Sequence, residues 1–326
     1  MRMETIKSDN LTLSHYKKAY LLCKYATGKI KGKLMHEKKR PLNYCGKEVM
    51  DAVPMQMIMK NNIVEDKPFL AGRLGANELN FLIEALMIHN GLKKEVNPNI
   101  LASMENNAGF FNKDEASIQY FAELMADCLK NCNILGAWYN NFEDVAIRLF
   151  LSNEAVLSIR GIFDFWKYEH PFTEGLAGKK VLVVHPFKET IVSQYKYREK
   201  LFPEKDFLPS FDLRVVKAIQ SIGRSSNNEE DWFNNLDIMY KECMEKDFDV
   251  ALIGCGAYGF PLALKLNQHQ KTAIHMGGVL QILFGIMGRR WEDDTELRRF
   301  RNKYWVRASE AEKPKSANDV EDACYW

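Results

Sequence analysis

The chain has 326 residues, 46% hydrophobic and 27% charged, with a formal net charge of +2. That length supports one large or two moderate domains with a substantial core, and the composition excludes a disordered or fibrous chain. The near balance of charge gives no footprint for nucleic acid, no apolar run approaches the roughly 18 residues that span a bilayer, and residues 1–10 lack a signal-peptide core, so a cytoplasmic protein is expected.

Residues 14–26 carry apolar side chains at helical spacing, and a basic run, 29–40, follows with Lys29, Lys31, Lys33, Lys38, Lys39 and Arg40. We read 1–66 as a helical, basic N-terminal extension. Its charge run is either a solvated face or a peripheral contact with anionic lipid at the inner face of a membrane, where each basic residue gains roughly 1 kcal/mol.

From Pro68 onward strands alternate with helices. Strands are expected over 69–73, 133–138, 155–159, 181–184, 213–216, 249–253 and 272–275, and helices over 78–89, 113–131, 142–151, 189–201, 231–246 and 279–286. Apolar positions 79, 82, 83, 86 and 87 make one stripe on the first of these helices. The polar stretches 97–112 and 223–230 read as loops. This alternation predicts an α/β domain over 67–308, a doubly wound, mostly parallel, Rossmann-like sheet. A polar tail, 309–326, ends in Cys324, Tyr325 and Trp326, an aromatic end that either docks on the body of the protein or frays.

The seven cysteines form no CxxC pair and have no histidine at zinc spacing, so free thiols in a reducing compartment are expected. Cys128 and Cys132, four apart, have the spacing of one helix face, and buried free thiols are the expected reading. Cys255 stands inside a glycine loop with no identifiable base beside it.

That loop carries the strongest chemical signal. The strand 250–253 runs into Gly254, Gly256 and Gly259 and then a helix, and the strand 272–275 breaks at Gly277 and Gly278. Glycines at strand ends let backbone amides approach a ligand, and a helix start offers partial positive charge to an anion. The spacing is that of a dinucleotide fingerprint, yet the place of the ribose-binding acid holds Ile274, His275 and Met276. A nucleotide or diphosphate site is therefore expected instead of a nicotinamide site, the competing reading being glycines that only permit tight packing.

Ligands of open α/β sheets bind beyond the carboxyl ends of the strands. The strand ends here deliver Arg73 and Glu78, Arg160 and Asp164, His185, and the two glycine turns with His275; Gln281, Arg289, Arg290 and Trp291 follow closely. Arg73 suits bidentate phosphate binding, and Glu78 suits a divalent cation or a general base. Each also has a bland reading: a scaffold salt bridge for Arg73, a helix-dipole contact for Glu78, and satisfied burial for His185 and His275.

At these residues the chain resembles the GT-D-type glycosyltransferases of bacterial glycan assembly, first described as a domain of unknown function. The likeness rests on the strand-turn-helix at 69–79 and on the block 251–291. Members share an Arg-x-Gly-Asp-x-Glu turn whose acids are linked to a metal and a nucleotide sugar. Arg73, Gly75 and Glu78 match it, whereas Ala76 stands where the first acid belongs. The resemblance implies a glycosyltransferase that moves a sugar from a nucleotide diphosphate sugar to a surface polysaccharide, glycolipid or glycoprotein glycan. Arg73 and Glu78 would be its catalytic residues, and Arg73, Gly75, His185, Gly254, Gly256, Gly259, His275, Gly277 and Gly278 would bind the donor. Manganese or magnesium on Glu78 is implied by the family and questioned by Ala76, since hard cations prefer several oxygens. The alternatives are an NAD(P)- or nucleotide-dependent sugar-modifying enzyme and a non-catalytic polysaccharide-assembly protein.

Overall fold

Runs of valine, leucine and isoleucine line up side by side at the centre of the protein, seen here in a computed structural model that describes residues 8–31, 43–159, 161–221, 231–314 and 324–326. The core strands are β3 (Leu70–Gly72), β4 (Ile134–Gly136), β5 (Val156–Ser158), β6 (Lys180–His185), β7 (Asp212–Lys217), β8 (Val250–Ile253) and β9 (Thr272–His275). With the N-terminal β1 (Asn43–Tyr44) and β2 (Lys47–Met50) they form one nine-stranded sheet in the order β1-β2-β5-β4-β3-β9-β8-β6-β7. Every pairing in it is parallel except the β1–β2 hairpin. The doubly wound α/β fold expected from the sequence is the fold observed.

Successive strand residues feed two separate apolar layers, as the period of two in a strand requires. Leu70, Leu182, Val184, Ala251, Ile253 and Ala273 face one layer. Ala71, Val181, Val183, Val250, Leu252 and Ile274 face the other. The first layer is covered by α3 (Ala76–His89), α5 (Glu115–Asn131), α6 (Glu143–Phe150), α9 (Trp232–Met244) and α10 (Gly259–Asn267). The second holds α2 (Ala52–Val64), α7 (Lys188–Tyr195), α8 (Arg198–Leu201) and α11 (Leu280–Leu283). Residues buried on both faces explain the near-continuous apolar runs of β6 and β8.

Helix starts are set by local chemistry. Asp51 caps α2 by accepting from the Ala52 amide (2.8 Å), and Asp114 caps α5 by accepting from Ser117 (2.9 Å). The Ser117 hydrogen bonds hold the Asp114 carboxyl below its ordinary range.

The structure corrects several expectations. The segment 1–66 is not purely helical: besides α1 (His15–Lys31) and α2 it supplies the β1–β2 hairpin, and β2 pairs with β5 in the main sheet. Cys45 and Gly46, both at positive φ (61° and 85°), make the tight turn of that hairpin. The stretch 97–112 is not a loop but holds α4 (Pro98–Ser103) and a π-turn (Met104–Ala108), started by Asn97 as a cap with Pro98 behind it. The helix expected over 189–201 breaks into α7 and α8, and that over 279–286 shrinks to α11 before β10 (Ile286–Met287) pairs with β11 (Val306–Arg307). The basic run from 32 to 40, Arg160, the stretch 223–230 and the tail 315–323 lie outside the described residues. No helix among the described residues is long and apolar enough to cross a membrane.

Candidate functional site

The chain leaves β3 and β8 toward the first layer, into α3 and α10, but leaves β9 and β6 toward the second, into α11 and α7. Adjacent strands whose continuations diverge leave a crevice over their carboxyl ends. A cavity of ≈ 320 Å³ opens there, above β3, β9, β8 and β6. Nine of the ten predicted site residues line it: Arg73, Gly75, Glu78, His185, Gly254, Gly256, His275, Gly277 and Gly278.

Gly259, the tenth, is corrected. It opens α10 and is buried, and a Cβ there would overlap the His275 imidazole. Its role is the one the third glycine of such a turn plays, close packing of helix on sheet. Gly254 reaches the cavity but its amide donates to Val184 O (2.9 Å). What it contributes is space: a Cβ would lie 2.7 Å from Gly277 O and 2.9 Å from His185 Cδ2. The two glycine turns therefore touch each other.

Arg73 is seated by the second turn. Gly277 has φ +68°, and any side chain on it would collide with the Arg73 guanidinium. The guanidinium lies over the Trp138 ring, 4.3 Å from its centroid, a cation–π contact. Its Nε is buried and makes no hydrogen bond in this structure. Burial, and then the charge of Arg290, lower the Arg73 pKa, while Tyr325, Glu78 and Asp164 oppose this; the group stays a cation. Arg290 is exposed at the rim, donating to Tyr325 Oη (3.0 Å).

Glu78 stands in the first turn of α3 and its carboxylate folds back over Gly75. It is the only aspartate or glutamate among the described residues lining the cavity. No cluster of three or more histidine, cysteine, aspartate or glutamate side chains suited to a metal occurs among the described residues. A hard divalent cation wants several oxygens, and here it would meet one carboxylate beside the buried Arg73 cation. The residues do not fit the metal that the family resemblance implies.

Both histidines are buried and neutral. His185 Nδ1 accepts from the Phe187 amide (3.1 Å), which leaves the proton on Nε2, and burial pushes its pKa down to about 3. His275 is stacked on Phe260 (5.9 Å, 13°), and burial followed by the Arg73 charge pushes it down to about 3 as well. His275 Nδ1 makes no hydrogen bond in this structure. Neither is a base at neutral pH; each offers at most one neutral donor or acceptor. All seven cysteines are free, and burial pushes the Cys255 thiol far up, so it is not a nucleophile.

Three groups of lining residues escaped the sequence reading. Trp138 and Asn140 come from the loop after β4, where 133–138 had read as one strand. Asn107 and Ala108 come from the π-turn, and Ala108 O packs against Gly256. Ser221 follows β7 and shares a hydrogen bond with Tyr258 Oη (2.9 Å). The aromatic end of the chain docks: Trp326 is 6% exposed, and Gln281 Nε2 donates to Tyr325 O (3.1 Å). Tyr325 and Trp326 form a wall of the cavity beside Gly278.

No family model, no curated protein and no solved structure matches the chain.

Proposed function

We propose that the protein is a glycosyltransferase that takes a sugar from a nucleotide diphosphate sugar and passes it to a hydroxyl of a growing surface glycan or glycolipid. One observation carries the reading: Arg73, Arg290, Glu78 and both glycine turns meet in one cavity at the carboxyl rim of the sheet. In the transfer, a bond forms between the acceptor oxygen and the anomeric carbon. The bond from that carbon to the diphosphate breaks, its electron pair leaves with the diphosphate, and the acceptor proton passes to Glu78. Arg73 and Arg290 receive the negative charge that develops on the leaving group, and the two glycine turns let it approach them closely. The neutral walls, His185 and His275 among them, keep the local dielectric low and so strengthen that stabilisation. A cytoplasmic enzyme, working at the inner face of a membrane on a lipid-linked acceptor through the basic run 29–40, completes the proposal.

Calorimetric titration with uridine, guanosine and thymidine diphosphate sugars and with NADH tests it. Binding of at least one nucleotide sugar, with no heat from NADH, is expected. Tight NADH binding with silence from every nucleotide sugar would overturn the reading.

A further inference from the structure

The loop between β4 and α6 holds two non-glycine residues in the left-handed region, Tyr139 (φ 58°) and Phe142 (φ 68°), within four positions. Each costs roughly 1–2 kcal/mol, so the loop keeps this shape only where something outside it insists. That something is Glu143, the first residue of α6 and wholly buried. Its two carboxylate oxygens accept from the Trp138 amide (3.1 and 3.0 Å), and Oε2 also accepts from the Tyr139 amide (2.5 Å). The Trp138 ring in turn lies beneath the Arg73 guanidinium, 4.3 Å from Cζ to its centroid.

We propose that Glu143 is a positioning residue whose ionised carboxylate clamps the loop after β4 and so holds Trp138 against Arg73, making the anion seat of the cavity responsive to pH. The proposal takes from the transferase reading only that Arg73 receives the ligand.

The chemistry of the clamp supports a change near neutrality. A carboxylate offers only acceptors to the amides, whereas a carboxylic acid carries a proton on one oxygen and loses part of that capacity. Burial raises the Glu143 pKa to about 7, against the backbone hydrogen bonds from residues 138–140 that lower it. The groups facing it are Asp144 on its own helix, Tyr139 in the loop, and Tyr44 and Cys45 from the β1–β2 hairpin; Asp144 raises its pKa further. Tyr44 and Cys45 are themselves raised by burial, and Arg148 acts on Cys45 from the same helix. No ion pair to Glu143 occurs among the described residues. Above pH 7 the clamp is closed and Arg73 is held; below it the clamp opens.

Intrinsic fluorescence of the full chain without ligand reads the clamp directly, with Trp138→Phe identifying the part that belongs to Trp138. A single step near pH 7 is expected in that part for the wild-type protein, and none in Glu143→Gln. Tyr139→Gly, which relieves the left-handed strain, is expected to shrink the step. A wild-type-sized step in Glu143→Gln, or in Tyr139→Gly should the first variant not fold, or no step in the wild type between pH 5.5 and 8.5, would overturn the assignment. A nucleotide diphosphate sugar, whose diphosphate diester keeps its charge across this range, is expected to bind about tenfold more weakly at pH 6 than at pH 8. If no nucleotide sugar binds at any pH the transferase reading fails, while the fluorescence step still decides the role of Glu143.

Discussion

The half of the rim above β3 and β4 carries Arg73, Glu78 and Trp138, whereas the half above β8 and β6 carries Gly254, Cys255 and His185, all uncharged. Both halves are ends of parallel strands in the same sheet, yet one keeps a buried cation and the other loses its ionisable groups to burial. The difference starts from the groups themselves, since a guanidinium holds its proton far more tightly than an imidazole, and is widened by what each charged form touches. Arg73 has an aromatic face beneath it and the Glu78 charge nearby, while His185 has the Phe187 ring (4.8 Å) and a backbone amide on its lone pair, and burial alone shifts it. A charge persists in a dry wall where partners offset desolvation and is given up where they do not.

The sharpest way to break the contrast is to remove chemistry from each half in turn. Glu78→Gln is expected to lower kcat by 10²–10⁴, the usual contribution of a general base, with nucleotide-sugar affinity changed by less than about threefold. His185→Gln is expected to leave kcat within about tenfold. Steady-state kinetics with a binding titration distinguish the two, and equal losses in both variants would erase the distinction.

The neutral half also governs acid stability. His185 and His275 are held near 3 in the fold and return to about 6.5 when unfolded. Their contribution is complete above pH 6.5 and is lost as the pH falls toward 3, at about 1.36 kcal/mol per unit for each group, up to roughly 5 kcal/mol apiece. Glu143, raised to about 7, acts in the opposite sense between about pH 4.5 and 7 and offsets part of the loss. Urea unfolding at stepped pH is expected to show stability falling below pH 6.5, with a shallower fall in His185→Gln; a flat profile down to pH 4 would contradict buried neutral histidines.

Gly277→Ala joins the halves, because it combines a positive φ with a Cβ that strikes the Arg73 guanidinium. A loss of about 2–4 kcal/mol in stability is expected from chemical denaturation, together with most of the anion affinity. A stable, fully binding Gly277→Ala protein would show that Arg73 does not depend on this turn. The smallest effects separate the two cations: Arg73→Ala is expected to weaken nucleotide diphosphate binding by about 10–150-fold, and Arg290→Ala, exposed at the rim, by less than about fivefold.

Much of this was legible in the sequence where local pattern and long-range position agree. The apolar runs at 181–184 and 250–253 read as buried parallel strands, and the glycines after 253 and 275 marked the rim. The rule that ligands gather beyond carboxyl strand ends then brought Arg73, His185 and His275 together across more than 200 positions, as the structure does. Other parts were hidden for physical reasons. A hairpin of two- and four-residue strands leaves no periodicity to read in 43–50. Polar residues in 97–112 conceal a helix whose cap, Asn97, resembles a turn residue. Trp138 looks like the last residue of a strand until Glu143 is seen to pull its amide out of the ladder. Gly259 fits a binding motif by spacing, and only the His275 ring against it shows that packing is its task.

The account depends on a diphosphate resting between the buried arginine and the paired glycine turns. A crystal structure of the protein with uridine or guanosine diphosphate tests this most directly. Phosphate oxygens are expected within hydrogen-bonding distance of the Arg73 guanidinium, against the turns at 254–256 and 277–278. A diphosphate bound elsewhere on the molecule, with the cavity filled by the side chains of Trp138, Tyr325 and Trp326, would contradict it.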